Sequence, residues 1–429
     1  MLKYLWMVIQ DLFVAVTLVS MIHAMIHTRF GKESLRIHWA GIAAGVVSSI
    51  ILAIVKNTTN KIISSRWNHR IYAVILLFTV AFLVFVLLTG RKERQKPGIP
   101  RVLTCLAGAG LSASWIFYAL PGCIAYPFTF NTMGNGYWSS YFFSRLAGWA
   151  LAYLILAIYA GLLYRCACGI RRKAFATMAL LVIAAVNAFY CLCRFFVPWV
   201  NRAKWLDWPL TYNPGEHGWA AELVRLSTGY DMLFIWISAL LILILLVLFF
   251  AENTHVTQPY DNPARHRKLR ALNRSRRRQA AGLFLTLALS VLSMSVVKAY
   301  DTREVVLSEP ETYTVEEDRI LVPMDSVSDG HLHRFEFRTD NDVNVRWIVV
   351  KKPGSASFGV GLDACEVCGN AGYYENNGRV ICKRCDVVMN INTIGFKGGC
   401  NPIPLSYEVD GGNLVFLIRD LEAGEREFK

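Results

Sequence analysis

Apolar residues fall in long, almost unbroken stretches through the first three hundred positions. Eight of these approach or exceed the ~18 apolar residues that a helix needs to cross a bilayer. They are 4–27, 37–55, 69–90, 102–125, 142–164, 174–198, 230–251 and 280–298. After Lys298 the period changes to two. "HLHRFEFRT" at 331–339 alternates, and "DND" turns the chain into "VNVRWIVVKK" at 343–352. Further strands are expected at 357–362, 403–409 and 413–418. The pattern predicts a mainly α polytopic membrane protein of about eight transmembrane helices, residues 1–299. A small C-terminal β-rich domain, residues 300–429, follows it.

Composition supports that division. The chain is 54% hydrophobic and carries a net charge of +14. Residues 1–299 hold 31 Lys+Arg against 9 Asp+Glu, a balance of +22; residues 300–429 hold 14 against 22, a balance of −8. The basic charge therefore belongs to the membrane half, and no nucleic-acid partner is expected. Loops after spans one, three, five and seven carry 20 Lys+Arg. The N-terminus and the loops after the even spans carry 8, Arg70 included. Lys and Arg in short loops resist translocation, so the richer set is cytoplasmic. Both termini and the C-terminal domain are then extracytoplasmic. The run "RHRKLRALNRSRRR" at 265–278 reads as a topology anchor for span eight rather than a lipid or nucleic-acid patch. No cleavable signal peptide is evident, and the first span is expected to stay.

Ionisable groups inside spans are costly and mark candidate function. Asp11 lies about two turns into span one. His23 and His27, four residues apart, share a face near its cytoplasmic end, and His38 opens span two at the same depth. Three imidazoles there suit a metal, a proton shuttle beside a quinone or, less expectedly, a haem. The plainer reading is histidines bonded to headgroups or to each other. Arg145 and Arg194, near outer span ends, read as snorkelling. Cys105, Cys123, Cys166, Cys168, Cys191 and Cys193 read as structural thiols. The loops at 126–143 and 197–231 are aromatic-rich, which fits an interfacial belt or a docking platform. No internal repeat, phosphate-binding loop or RExxE signature is present, which weighs against a transport pore.

The densest chemistry is "DACEVCGNAGYYENNGRVICKRCDVVMNINTIGFKGGC", 363–400, with five of the chain's eleven cysteines. Cys365 and Cys368 precede Cys382 and Cys385 in a C-x2-C-x13-C-x2-C arrangement. Two residues between thiolates let a tight turn aim both sulfurs at one metal. Gly369 helps the first turn, whereas Asp386 stands at the equivalent place in the second. "AGYYENNGRVI" between them predicts a hairpin turning at Asn-Gly. Four thiolates suit zinc or iron. Cys400 exceeds what structural zinc needs, and fits a cluster ligand, a replacement ligand or a redox partner. Outside the cytoplasm paired cysteines also tend towards disulfides, although five leaves one over. His331 and His333 fall on one strand face and could add imidazole ligands, with Met324 for copper. No hydrolytic constellation stands out.

The segments "DGHLHRFEF", "VRWIVVKK", "LDACEVCGNAGYY", "VICKRCDVVMNINTIG", "GGCNPIPL" and "LEAGEREF" together resemble the FtrD-like membrane iron–sulfur proteins over roughly 320–429. The membrane half resembles them only in general layout. The resemblance implies a bacterial inner-membrane protein working beside an iron permease and a periplasmic iron-binding protein. It implies an iron–sulfur cluster or single iron, with zinc or copper as alternatives. It carries the metal-binding role onto Cys365, Cys368, Cys382, Cys385, Cys400 and His333. The function expected is electron transfer accompanying iron uptake. A non-catalytic metal-delivery module and a thiol–disulfide relay are the alternatives.

Overall fold

The computed structural model describes residues 2–59, 64–89, 98–129, 140–202, 226, 229–256, 258–303, 305–376, 378–385 and 387–429. Most of the proposed platform at 197–231, three of its four tryptophans included, lies outside the described residues, as does most of 126–143. The chain divides into a helical unit and a second compact unit that includes Thr302–Lys429.

The helical unit holds α1 (Leu2–Phe30), α2 (Leu35–Thr58), α3 (Ser64–Leu88), α4 (Ile99–Thr129), α5 (Ser140–Gly169), α6 (Lys173–Arg202), α7 (Asp231–Glu252) and α8 (Pro263–Leu292). Eight helices among the described residues are long and apolar enough to cross a membrane. Helix α1 is the innermost: 67% of its most apolar window is buried, against 28% in α2 and in α5. The outer helices turn apolar side chains outward, such as Val47, Ile51 and Ile54 on α2 and Leu77, Val80 and Leu87 on α3. Water would penalise a surface of that kind, so it belongs against hydrocarbon.

Small residues decide which helices touch. A Cβ added at Gly41 would lie 2.6 Å from the carbonyl oxygen of Ala109, and one at Gly45 would lie 2.9 Å from Cα of Ala113. This G-x3-G stripe lets α2 and α4 approach backbone to backbone, where van der Waals contact replaces the hydrophobic drive that lipid cannot supply.

The basic run 265–278 is helical rather than a loop. Pro263 occupies the first turn of α8, and the Asn262 side chain caps it by accepting from the Arg265 amide at 2.8 Å. Arginine and leucine favour helix, and nothing between 265 and 278 breaks it. The helix therefore runs on as one piece through a π-helical segment, Ser293–Val297, to Asp301.

The histidines of the first two spans find partners. Nδ1 of His23 and Nδ1 of His38 are 2.8 Å apart, and Nε2 of His38 is 2.8 Å from Ser112 Oγ. His27 turns away to Tyr164, at 2.6 Å, with the Cys168 sulfur at 3.6 Å. The three imidazoles thus form a bonded pair and a separate neighbour. Arg145 does not snorkel: it is buried, with its guanidinium 5.6 Å from the Tyr4 ring centroid. A cation on an aromatic face keeps part of the stabilisation lost with water.

The C-terminal unit contains two antiparallel sheets and a hairpin. One sheet is ordered β1 (Thr314–Glu316), β2 (Arg319–Pro323), β9 (Asn413–Leu417), β8 (Glu408–Asp410). The other is β3 (His333–Arg338), β4 (Asn344–Lys351), β5 (Phe358–Leu362). The hairpin is β6 (Tyr373–Asn376) with β7 (Arg379–Cys382). Strands β1 and β2 were not expected from the sequence, because the four charged residues from Glu316 to Arg319 mask a short alternation. The expected strand at 403–409 shortens to β8 and a single bridge, Pro404 to Gly361.

Strand β4 is buried on both faces. Trp347 and Val349 enter the main core with Phe335, Ile320 and Phe416. Ile348 and Val350 point the other way, into a second core with Tyr373, Val380, Met389, Ile394 and the thiols. Successive side chains alternate across a strand, so the run "WIVV" supplies two cores at once.

Candidate metal centre

Each cysteine is placed by backbone that the second core holds rigid. In the first knuckle, Cys365 and Gly369 exchange both backbone hydrogen bonds, 3.1 and 2.9 Å, and Gly369 takes a φ of +66°. The amide of Cys368 then donates to the Cys365 sulfur at 3.1 Å. In the second knuckle the Cys382 amide donates to Val387 O at 3.0 Å. The predicted hairpin β6–β7 joins the knuckles and brings Cys382 opposite Tyr373; Asn377 and Asp386 lie outside the described residues.

Cys400 arrives by a different route. The segment after it runs along β5 as an added strand: Leu362 N donates to Ile403 O at 2.7 Å, and Ile403 N donates to Ala364 O at 3.0 Å. Gly361 permits this, since a Cβ there would lie 2.7 Å from Pro402 Cβ. The Tyr373 hydroxyl then donates to Cys400 O at 2.7 Å.

The result is two overlapping groups of thiols. The sulfurs of Cys365, Cys368 and Cys382 lie within 4.8 Å of one another, and so do those of Cys368, Cys385 and Cys400. Cys368 belongs to both. The first group is buried, while Cys385 and Cys400 are half-buried, their sulfurs 3.7 Å apart. Two thiolates on one tetrahedral ion sit ~3.8 Å apart, given metal–sulfur bonds of ~2.3 Å. The donor set therefore fits a thiophilic ion, and an ion in either group finds further sulfur in the other.

Protonation is uneven among the thiols. Burial pushes Cys368 and Cys382 above the ordinary thiol value, and it pushes Cys400 up to about 11 with help from neighbouring Cys385. Burial also acts on Cys385, but the Val387 amide and donation from Cys382, Cys368 and Cys400 outweigh it and leave Cys385 below the usual value. Metal must displace protons from the raised thiols, so apparent affinity climbs as pH rises. Chelator competition from pH 6 to pH 8 is expected to show at least a tenfold gain per unit. A flat profile would mean that no thiol proton is released.

His333 is not brought to the thiols. Its Nδ1 lies 2.9 Å from Glu311 Oε1 and its Nε2 lies 2.8 Å from Asp329 Oδ1. Burial disfavours its charge, but the two carboxylates outweigh burial and hold the ring above the ordinary histidine value. An imidazolium donates from both nitrogens and has no lone pair for a metal. His331 does not share that face: it is exposed and bonds Glu375 at 2.8 Å. Met324 packs against the main core, away from the cysteine cluster's own core.

A buried ion-pair network beneath the first knuckle was not anticipated from the sequence. Arg334 Nε donates to Asp363 Oδ2 at 3.0 Å and Arg346 Nε to the same oxygen at 3.2 Å. Asp363 Oδ1 accepts from the Tyr373 amide at 2.8 Å. Arg334 also donates to Ser308 and to the Tyr373 carbonyl. Its side chain and that of Asp363 are 1% and 0% exposed. Asp363 thus ties β3, β4, the knuckle and the hairpin together, two residues before Cys365. The available signal was an arginine inside the strand "HRFEF" and an aspartate just ahead of a CxxC.

No curated protein and no solved structure matches the chain. It is the C-terminal domain, over residues 327–428, that matches the model of a family described as membrane iron-sulfur containing protein, FtrD-like.

Proposed function

We propose that the protein is a membrane-bound redox component that carries electrons through a thiolate-held iron centre during bacterial iron uptake. The observation that carries this reading is the convergence of five thiols from three separate segments, with the Cys385–Cys400 edge half-exposed. A structural zinc needs four ligands and no exposed fifth. An electron-transfer centre benefits from a ligand edge near the surface. Within each group the sulfurs lie no more than 4.8 Å apart, which supports one iron over a cluster, whose thiolates are held apart by the cluster itself. Cys365, Cys368, Cys382 and Cys385 bind the ion, and Cys400 replaces or supports the fourth. Iron supplies one-electron chemistry there; the knuckle amides aimed at sulfur stabilise thiolate charge and tune its potential. By the charge asymmetry of the loops, the domain faces outward from the inner membrane, where an iron permease and a periplasmic iron-binding protein would be its partners.

The 3.7 Å approach of Cys385 and Cys400 favours a second reading, a thiol–disulfide relay. One experiment separates the two. Full-length protein is purified in detergent without oxygen, and metal content, visible absorption and EPR are recorded. One iron per chain with a reducible chromophore is expected. Stoichiometric zinc without colour, or metal-free thiols that cycle to a disulfide, would each defeat the iron reading.

A further inference from the structure

The helical unit contains a cavity of about 350 Å³ that the iron reading does not use. It is bounded by α1, α2, α3, α4, α6 and α7, at the end where α1 begins and α2 ends. That volume lies within the range of roughly 300–1,000 Å³ typical of small-molecule sites.

Its polar groups stand at two depths. Asp231 opens α7 at the mouth, with Lys56 in the last turn of α2 beside it. Asn187 is deeper. Its amide nitrogen donates to Ser238 Oγ at 2.9 Å and to Ile183 O at 2.8 Å, which leaves its carbonyl oxygen for a ligand. Ser238 is seven residues beyond Asp231 on α7, ~10 Å further along the axis at ~1.5 Å per residue. Asp11 adds a carboxylate from α1 at the outer level; its Oδ2 accepts at 2.7 Å from Tyr126, in the last turn of α4, and Oδ1 remains. Between the two levels the walls are aromatic: Trp115, Tyr118, Tyr190 and Phe234.

Among the described residues neither carboxylate belongs to a group of three or more side chains that could hold a metal ion. What fits is a neutral, flat ring with an oxygen at each end. In a para-hydroquinone the span between oxygens plus two hydrogen bonds of ~2.8 Å comes to ~11 Å, close to the separation of the two polar levels. The aromatic walls match its ring, and a bilayer supplies such molecules. We propose that this cavity binds the headgroup of a membrane quinol or quinone, with Asn187 at the deep oxygen and Lys56, Asp11 and Asp231 at the outer one.

The test is binding to full-length protein in detergent, read by quenching of tryptophan fluorescence on titration with decylubiquinone and menadione. Saturable binding is expected, with Trp115→Phe losing part of the quench. Asn187→Leu and Asp11→Asn should each weaken binding at least tenfold, while Ser290→Ala on α8, a helix that does not line the cavity, should leave it unchanged. Unchanged melting temperatures show that the variants fold, and Asp11→Asn alone suffices if Asn187→Leu does not. Absence of saturation, equal affinity in the Asp11 and Asn187 variants, or displacement by phospholipid alone would overturn the site. Metal content of the same preparations reports separately on the iron reading.

Discussion

Cys368→Ser is expected to abolish stoichiometric metal binding, lowering affinity at least a hundredfold, whereas Cys400→Ser lowers it about tenfold. The difference follows from the overlap of the two thiol groups. Cys368 is the one sulfur within 4.8 Å of both sets of partners, so its loss leaves neither group with three donors. It is also buried, and no side chain from solvent can take its place. Cys400 sits at the half-exposed edge with Cys385 3.7 Å away, so an ion retains four paired thiolates without it. Chelator competition on the purified full-length variants measures both values. Equal losses for the two serine variants would show that the overlap has no role in holding the ion.

The second large effect lies outside the thiols. Asp363→Leu is expected to destabilise the C-terminal domain by about 3–5 kcal/mol, because it strands Arg334 and Arg346 beside a low-dielectric interior. It also removes the acceptor of the Tyr373 amide, and with it the tie between knuckle and hairpin. Metal affinity falls as a consequence of lost placement, with every cysteine still present. The exposed pair Arg338–Asp342, both side chains more than 70% accessible, is the comparison. Arg338→Ala there should cost no more than ~1 kcal/mol. Hydrogen exchange of residues 358–385 in the full-length protein reads both effects. Full protection in Asp363→Leu would mean that the network is dispensable.

Much of the site could be read from sequence because its information is local. Two residues between cysteines already dictate a turn with converging sulfurs, and the hairpin between the pairs needs only its own alternation. Where the sequence reading went astray, the deciding contacts lay outside the motif that was read. His333 carries the right atoms for a ligand, but its partners, Glu311 and Asp329, are supplied by the loops that precede β3. Arg145 looks like a snorkelling residue until α1 presents the face of Tyr4. The basic run 265–278 reads as a loop by charge and becomes a helix through its cap and its unbroken propensity.

The sequence by itself determined the division of labour: eight apolar helices, a β-rich end and the paired thiols. Those features depend on composition and short spacing, which no fold needs to complete. Only the tertiary structure decided that Cys400 joins Cys368 and Cys385, because fifteen to thirty residues separate them and the close approach at Gly361 delivers it. It likewise excluded His333 from the thiols, built the Asp363 network and enclosed the cavity between Asp231 and Asn187. Each of these depends on side chains from separate elements meeting in one place, and a linear pattern does not encode that distance.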